Sequence, residues 1–351
     1  MNILIMTDKL ITGGAENYFC SLENRISHPE MTVYTAAAGG ELFPKIKNKE
    51  HFIEMKRDSH LHNLRVLCRQ IKKNDIDLIH ANSLRMVMYG VCCKALISKK
   101  IKLIYTKHNV TFLEKRAPLL FTALMNHFVE KIIAVSNFEK KNLVDLGVKS
   151  GKVTTIYNGV NLDEFTFSRK EHRGQKKIGI LARLSAEKNH DLFLKIAKSL
   201  EHAEDLSFYI AGDGPEFDNI KRKITSMNLQ GKVTMTGATG KPQEFIREMD
   251  VLLLTSEREV FPMVILEAMA VGTPVISINR GGISEAISDQ TTGYLIESHS
   301  EEEFGTKVIN LSNNREMQLK ISNRAREKSE KEFSLDNMVS STINEYLKQA
   351  Y

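Results

Sequence analysis

Short apolar runs alternate with longer segments whose apolar positions return at the helical period, from one end of the chain to the other. The short runs predict strands at 2–7, 31–35, 51–55, 76–80, 102–106, 131–135 and 153–156, and a second set at 177–182, 207–211, 233–236, 251–254, 274–277 and 293–296. Strands that alternate with helices form βαβ units, so each set predicts a parallel sheet. Between the sets, Phe167 to Lys177 is polar and has no apolar period, which predicts a linker. A chain of 351 residues also exceeds what one core supports. The expected fold is therefore α/β, with two doubly wound domains facing a cleft at 1–165 and 166–334. The last helix, within 335–351, is expected to cross back to the first domain.

Open parallel sheets bind ligands outside the carboxyl ends of their strands. In the second half, Arg183 and Lys188 follow 177–182, Gly212 to Glu216 follow 207–211, Gly237 follows 233–236, and Gly281-Gly282 follow 274–277. In the first half, Gly13-Gly14, Gly39-Gly40, His80 with Asn82, His108 and Ser136 hold the matching positions. The segment after 251–254 says most. It carries Glu259 and Glu267 around a predicted helix start, with Pro262 suited to the first helical position and Gly272 with Pro274 closing the helix. Free N–H groups at such a start favour an anion, and a carboxylate on either side could meet a sugar and a ribose. Taken alone, the two glutamates suit a surface acid and a helix-dipole partner equally well. Gly13-Gly14 lets the backbone approach a phosphate or an acceptor, yet no G-x-G-x-x-G fingerprint occurs, which disfavours a dinucleotide dehydrogenase.

With 42% hydrophobic and 26% charged residues, the composition is that of an ordinary soluble globular protein. No apolar run is long enough to span a bilayer, and the amino-terminal segment reads as a first strand instead of a signal peptide, so a cytoplasmic location is expected. Cys20, Cys68, Cys92 and Cys93 have neither zinc nor disulfide spacing. Charge is divided unevenly: residues 1–165 hold 24 Lys and Arg against 16 Asp and Glu, and the remainder 25 against 27. The basic first half suits an anionic partner, although a solvated basic face explains it nearly as well. The cations are scattered and lack interleaved aromatics, so nucleic acid is not expected. After His108 comes an apolar segment opened by Lys115 and Arg116, which suits a core helix or an interfacial patch at the inner face of the membrane. Asp75-Ile-Asp77 imitates a metal-binding D-x-D but sits at a strand entrance, so neither a metal nor another cofactor is expected.

Seven segments, in order, resemble one family: Gly13-Gly14-Ala-Glu, Thr106-Lys-His108, Asn158-Gly-Val, Ala182-Arg183-Leu-Ser-Ala-Glu-Lys188, Ala211-Gly-Asp-Gly-Pro-Glu216, the Glu259 to Glu267 segment and Gly281-Gly282. The chain resembles the retaining glycosyltransferases of GT-B architecture, family 4 group, over nearly its whole length. The resemblance implies two Rossmann-like domains and a nucleotide-sugar donor, with UDP as the expected nucleotide and the sugar nucleotide a substrate, not a cofactor. It also implies a glycan or lipid-linked saccharide acceptor, as in surface polysaccharide biosynthesis. His108, Arg183, Lys188 and Glu259 then become the catalytic group, the two cations neutralising the departing diphosphate. Gly14, Gly212, Gly237, Phe261, Pro262, Met263, Val264 and Glu267 would hold the donor nucleotide, with Glu267 on the ribose. Gly13, Asn82 and Ser136 fall on the acceptor side. Retention rests on the resemblance alone. The chain departs from the family pattern at Ala182, Asn189, Val260, Pro262 and Asn109, which bears on sugar selectivity more than on the diphosphate and ribose contacts. Two other readings stand beside it. A nucleotide-sugar 2-epimerase of similar architecture needs an acid and base pair that the sequence does not reveal, and a non-catalytic two-lobed ligand-binding protein would not need Arg183, Lys188, Glu259 and Glu267 together.

Overall fold

The computed structural model describes residues 1–169 and 174–350. Residues 170–173, in the polar segment predicted as a linker, lie outside the described residues. The chain forms two compact units, Met1–Gly159 with Leu335–Tyr351, and Val160–Ser334.

The first unit holds a seven-stranded parallel sheet of β1 (Asn2–Lys9), β2 (Thr32–Ala38), β3 (Phe52–Met55), β4 (Leu78–Ala81), β5 (Lys102–Lys107), β6 (Lys131–Ala134) and β7 (Val153–Thr155), in the order β3-β2-β1-β4-β5-β6-β7. Both faces are covered, so the central strands are buried on either side and read as continuous apolar runs in place of alternating ones. Leu4, Ile79, Leu103 and Ile132 point into one core and Ile3, Ile5, Ile104 and Ile133 into the other. The final helix, Leu335–Ala350, completes the second of these cores with Leu335, Met338, Val339 and Tyr346.

The second unit repeats the plan with six parallel strands, β8 (Lys176–Leu181), β9 (Leu206–Ala211), β10 (Val233–Gly237), β11 (Val251–Leu254), β12 (Val275–Ile278) and β13 (Tyr294–Ile296), ordered β10-β9-β8-β11-β12-β13. Strand order reverses between β1 and β4 in one sheet and between β8 and β11 in the other. Crevices at such reversals are where doubly wound sheets take ligands.

The polar segment after Phe167 belongs at its start to the second unit. The Ser168 N–H donates to the Val271 carbonyl at 3.1 Å, and the Phe167 ring packs over Gly272. The chain enters this unit earlier, at Val160, which bridges to Ser334 and donates to the Phe333 carbonyl at 2.8 Å. Asn158-Gly-Val therefore marks the passage between the units, a place that a polarity scan passes over because these residues are buried.

Candidate active site

In the second unit, the loops after β8 and β11 lie side by side at the strand-order reversal. Glu257 N–H donates to the Glu187 carbonyl at 2.8 Å, and the Thr255 hydroxyl donates to the Lys188 carbonyl at 3.0 Å. Lys188 reaches across with its Nζ 2.6 Å from Oε1 of Glu259, which is nearly buried. Asn189 makes this turn, with φ of 50° in the left-handed region that asparagine tolerates better than most residues. Its Oδ1 caps the helix His190–Ser199 through Leu192 N–H at 3.3 Å, while its Nδ2 donates to Glu257 at 2.9 Å. Asn189, one of the departures from the family pattern, thus makes the left-handed turn and adds two side-chain contacts.

Arg183 is exposed at the end of β8 and makes no ion pair among the described residues. Its loop rests on Gly212, whose φ is 144° and where a Cβ would come 1.9 Å from the Ala182 carbonyl oxygen. The Leu184 N–H donates to the Asp213 carbonyl at 2.9 Å, and Glu216 N–H to the Leu184 carbonyl at 2.9 Å. Gly212 is required to let two backbones meet, which places it under Arg183. Gly281 plays the same part for Glu259: with φ of 65°, its Cβ would lie 1.7 Å from the Glu259 carbonyl oxygen. Gly282 N–H then donates to the Val260 carbonyl at 3.1 Å. Gly237 ends β10, next to β9, and its carbonyl accepts from Gly212 N–H at 2.9 Å.

Pro262 is the N-cap of the helix Met263–Val271, with extended ψ of 125°, and not its first helical residue. The proline ring removes the N–H at this position, so of Phe261 to Val264 only Met263 and Val264 offer the unpaired N–H groups of a first helical turn. The Phe261 ring is buried, edge-on to Phe333 at 5.6 Å between centroids. Ile265, Leu266 and Ala268 to Val271 are buried as well, leaving Met263, Val264 and Glu267 as the part-exposed face of the helix. Glu267 is four residues from Met263 and three from Val264, so it lies on their side of the helix.

In the first unit, Asn82, His108 and Tyr18 meet at the carboxyl edge of the sheet. His108 Nε2 lies 3.4 Å from Asn82 Oδ1, and the Tyr18 ring stands edge-on to the imidazole at 4.6 Å. Behind them His80 is fully buried, with Nε2 2.6 Å from the Thr106 hydroxyl and Nδ1 2.5 Å from the Tyr346 hydroxyl of the last helix. Burial pushes both imidazoles down to about 3, so both are neutral at pH 7. Gly13 caps the helix Gly14–Arg25, and a Cβ at Gly14 would meet nothing within 4 Å. Ser136 is fully buried, its hydroxyl accepting from Glu139 N–H at 3.1 Å to cap the helix Asn137–Asp145.

One cluster had no sequence signal. Lys107, fully buried at the end of β5, pairs with Glu139 and, at 3.1 Å, with Glu114. A lysine before a conspicuous histidine reads as a surface charge; only the fold places two carboxylates on it. The D-x-D imitation is also accounted for: Lys99 lies 2.7 Å from both Asp75 and Asp77. Among the described residues no group of three or more His, Cys, Asp or Glu side chains could hold a metal ion.

Residues 163–328 match the model of the glycosyl transferases group 1, and residues 12–164 that of Glycosyltransferase Family 4. Two doubly wound sheets carrying these matches define a glycosyltransferase. The chain belongs to the group 1, family 4 glycosyltransferases and has their GT-B fold of two Rossmann-like domains. It is 26% identical to the N-acetyl-alpha-D-glucosaminyl L-malate synthase of Bacillus anthracis, over 77% of this chain and 74% of that one. It is 27% identical to the poly(ribitol-phosphate) alpha-N-acetylglucosaminyltransferase of Staphylococcus aureus, over 63% of this chain but only 41% of that longer protein. In fold it is similar to a glycosyltransferase of Rickettsia africae, with a TM-score of 0.86 at 22% identity, covering 99% of this chain and 98% of that one. Anabaena HepE, solved in complex with UDP-glucose, superposes with a TM-score of 0.84 at 20% identity, covering 99% of each chain.

Proposed function

We propose that this glycosyltransferase moves a sugar from a UDP-sugar to a hydroxyl of a glycan or lipid-linked saccharide, with retention and without a metal, in surface polysaccharide biosynthesis. The observation that carries the reading is the Lys188–Glu259 pair at the β8/β11 reversal, beside exposed Arg183 and the first turn of the helix that carries Glu267. In this reading the bond from the anomeric carbon to the diphosphate oxygen breaks, and its electron pair leaves on that oxygen. Arg183 and Lys188 stabilise the charge so formed. The acceptor hydroxyl attacks the same face and passes its proton to the departing diphosphate. Glu259 orients the sugar through its hydroxyls, and Glu267 accepts from the ribose. UDP as the nucleotide is supported by the UDP-glucose complex of Anabaena HepE, and a glycan acceptor by the printed activity of the Staphylococcus aureus relative. The engagement of Asp75 and Asp77 by Lys99 supports metal independence.

The test is to incubate the purified chain with a panel of nucleotide sugars and candidate acceptors, with and without excess chelator. Free nucleoside diphosphate, epimerised donor and glycosylated acceptor are measured together. Release of diphosphate from a UDP-sugar, matched by labelled acceptor and unchanged by chelator, is the expected result. Epimerised donor without transfer would replace this reading with an epimerase, and chelator-sensitive transfer would overturn the metal-free mechanism.

A further inference from the structure

Beyond His108 the chain leaves the edge of the first sheet as two helices, Phe112–Arg116 and Pro118–Phe128. Their inner side is core, where Phe121 and Met125 join the cluster around Leu103 and Tyr105. Their outer side is unusual. Phe112 is 76% exposed, Leu119 83% and Leu120 60%. Single exposed apolar residues need no explanation, but three large ones on adjoining turns make a patch.

The charge around that patch is one-sided. Between His108 and Val129 the only acid is Glu114, and it turns inward to buried Lys107 at 3.1 Å. Lys115 and Arg116 are exposed, and the Arg116 guanidinium stands 5.8 Å from the centre of the Phe112 ring. Apolar tips and the two cations Lys115 and Arg116 thus stand together on these two helices, whose one carboxylate is turned inward. An anionic lipid interface complements both features, since apolar side chains enter the acyl boundary while the cations meet phosphates.

We propose that the outer face of the Phe112–Phe128 helix pair docks this chain on an anionic phospholipid bilayer. Glu114 also closes a capping box with Thr111, so the Lys107–Glu114 pair straps the docking helices to the strand end that carries His108. Docking stands apart from the proposed chemistry and is measured without any transfer assay.

The full chain is sedimented with vesicles of phosphatidylcholine alone and of phosphatidylcholine mixed with phosphatidylglycerol. Strong binding to the mixed vesicles, weak binding to the neutral ones, and loss as the Debye length falls from about 10 Å at 0.1 M salt to about 3 Å at 1 M are expected. The double variant Leu119→Ser/Leu120→Ser should lower partitioning at least about tenfold, and Lys115→Glu/Arg116→Glu should do the same on anionic vesicles only. All four positions are exposed, so the melting temperature of both variants should match that of the parent. Absence of binding, equal binding to both vesicle types, or binding that survives the Leu119→Ser/Leu120→Ser change would each overturn the proposal.

Discussion

Arg183→Ala is expected to fold and melt as the parent does, yet turn over about a hundredfold to a thousandfold more slowly, the scale set by losing one preorganised charge stabiliser. The side chain is exposed and holds no ion pair among the described residues, so its removal leaves no buried charge behind. Lys188→Ala should show a similar loss of turnover together with a small loss of stability, because Glu259 is nearly buried and would lose its cation. Steady-state kinetics beside thermal melts separate the two effects. Turnover of Arg183→Ala within about threefold of the parent, equivalent to roughly 0.7 kcal/mol, would remove Arg183 from the chemistry.

The second large effect concerns stability. Lys107→Met should destabilise the first unit by about 3–5 kcal/mol, because it leaves the carboxylate of Glu139 buried without its cation. Glu139 and Glu114 both face Lys107 from below the surface, and Glu114 cannot turn to water without opening its capping box with Thr111. For a unit of this size the cost corresponds to a drop of at least about 6 °C in melting temperature. Adding Glu139→Leu should recover much of it, since replacing a buried ion pair by apolar groups is often neutral. Urea unfolding of the parent, the single and the double variant tests this. A loss below about 1 kcal/mol in the single variant would mean that the buried triad contributes little.

Much of the fold was legible in the sequence for a physical reason. Strands buried on both faces, such as β11, read as continuous apolar runs and so stand out between amphipathic helices. The positions at strand ends were legible too: Arg183, Lys188, Glu259 and Glu267 all fall on the loops or helix start predicted for them. What stayed hidden was whatever needs two distant segments to meet. The pairing of Lys188 with Glu259, the triad around Lys107 and the contact of His80 with Tyr346 join residues between 7 and 266 positions apart, and no periodicity encodes them. Glycines illustrate the same limit. Gly212 and Gly281 stood out only as strand-end positions, and the sequence did not show that their missing Cβ atoms make room for the backbones of Ala182 and Glu259. Pro262 was misplaced by one residue, because the preference of proline for the first helical turn does not distinguish that turn from the cap before it.

The central claim, that Lys188 and Glu267 divide a nucleoside diphosphate between them, is tested most directly by titration calorimetry of the full chain with UDP and with uridine. UDP should bind more tightly than uridine, since only UDP carries the anion that the cations and the first-turn N–H groups meet. Glu267→Ala should weaken both ligands by about tenfold or more, the scale of a hydrogen bond to a charged acceptor. Lys188→Ala should weaken UDP alone. Equal affinity for UDP and uridine, or UDP affinity unchanged by both substitutions, would contradict the assignment of this site.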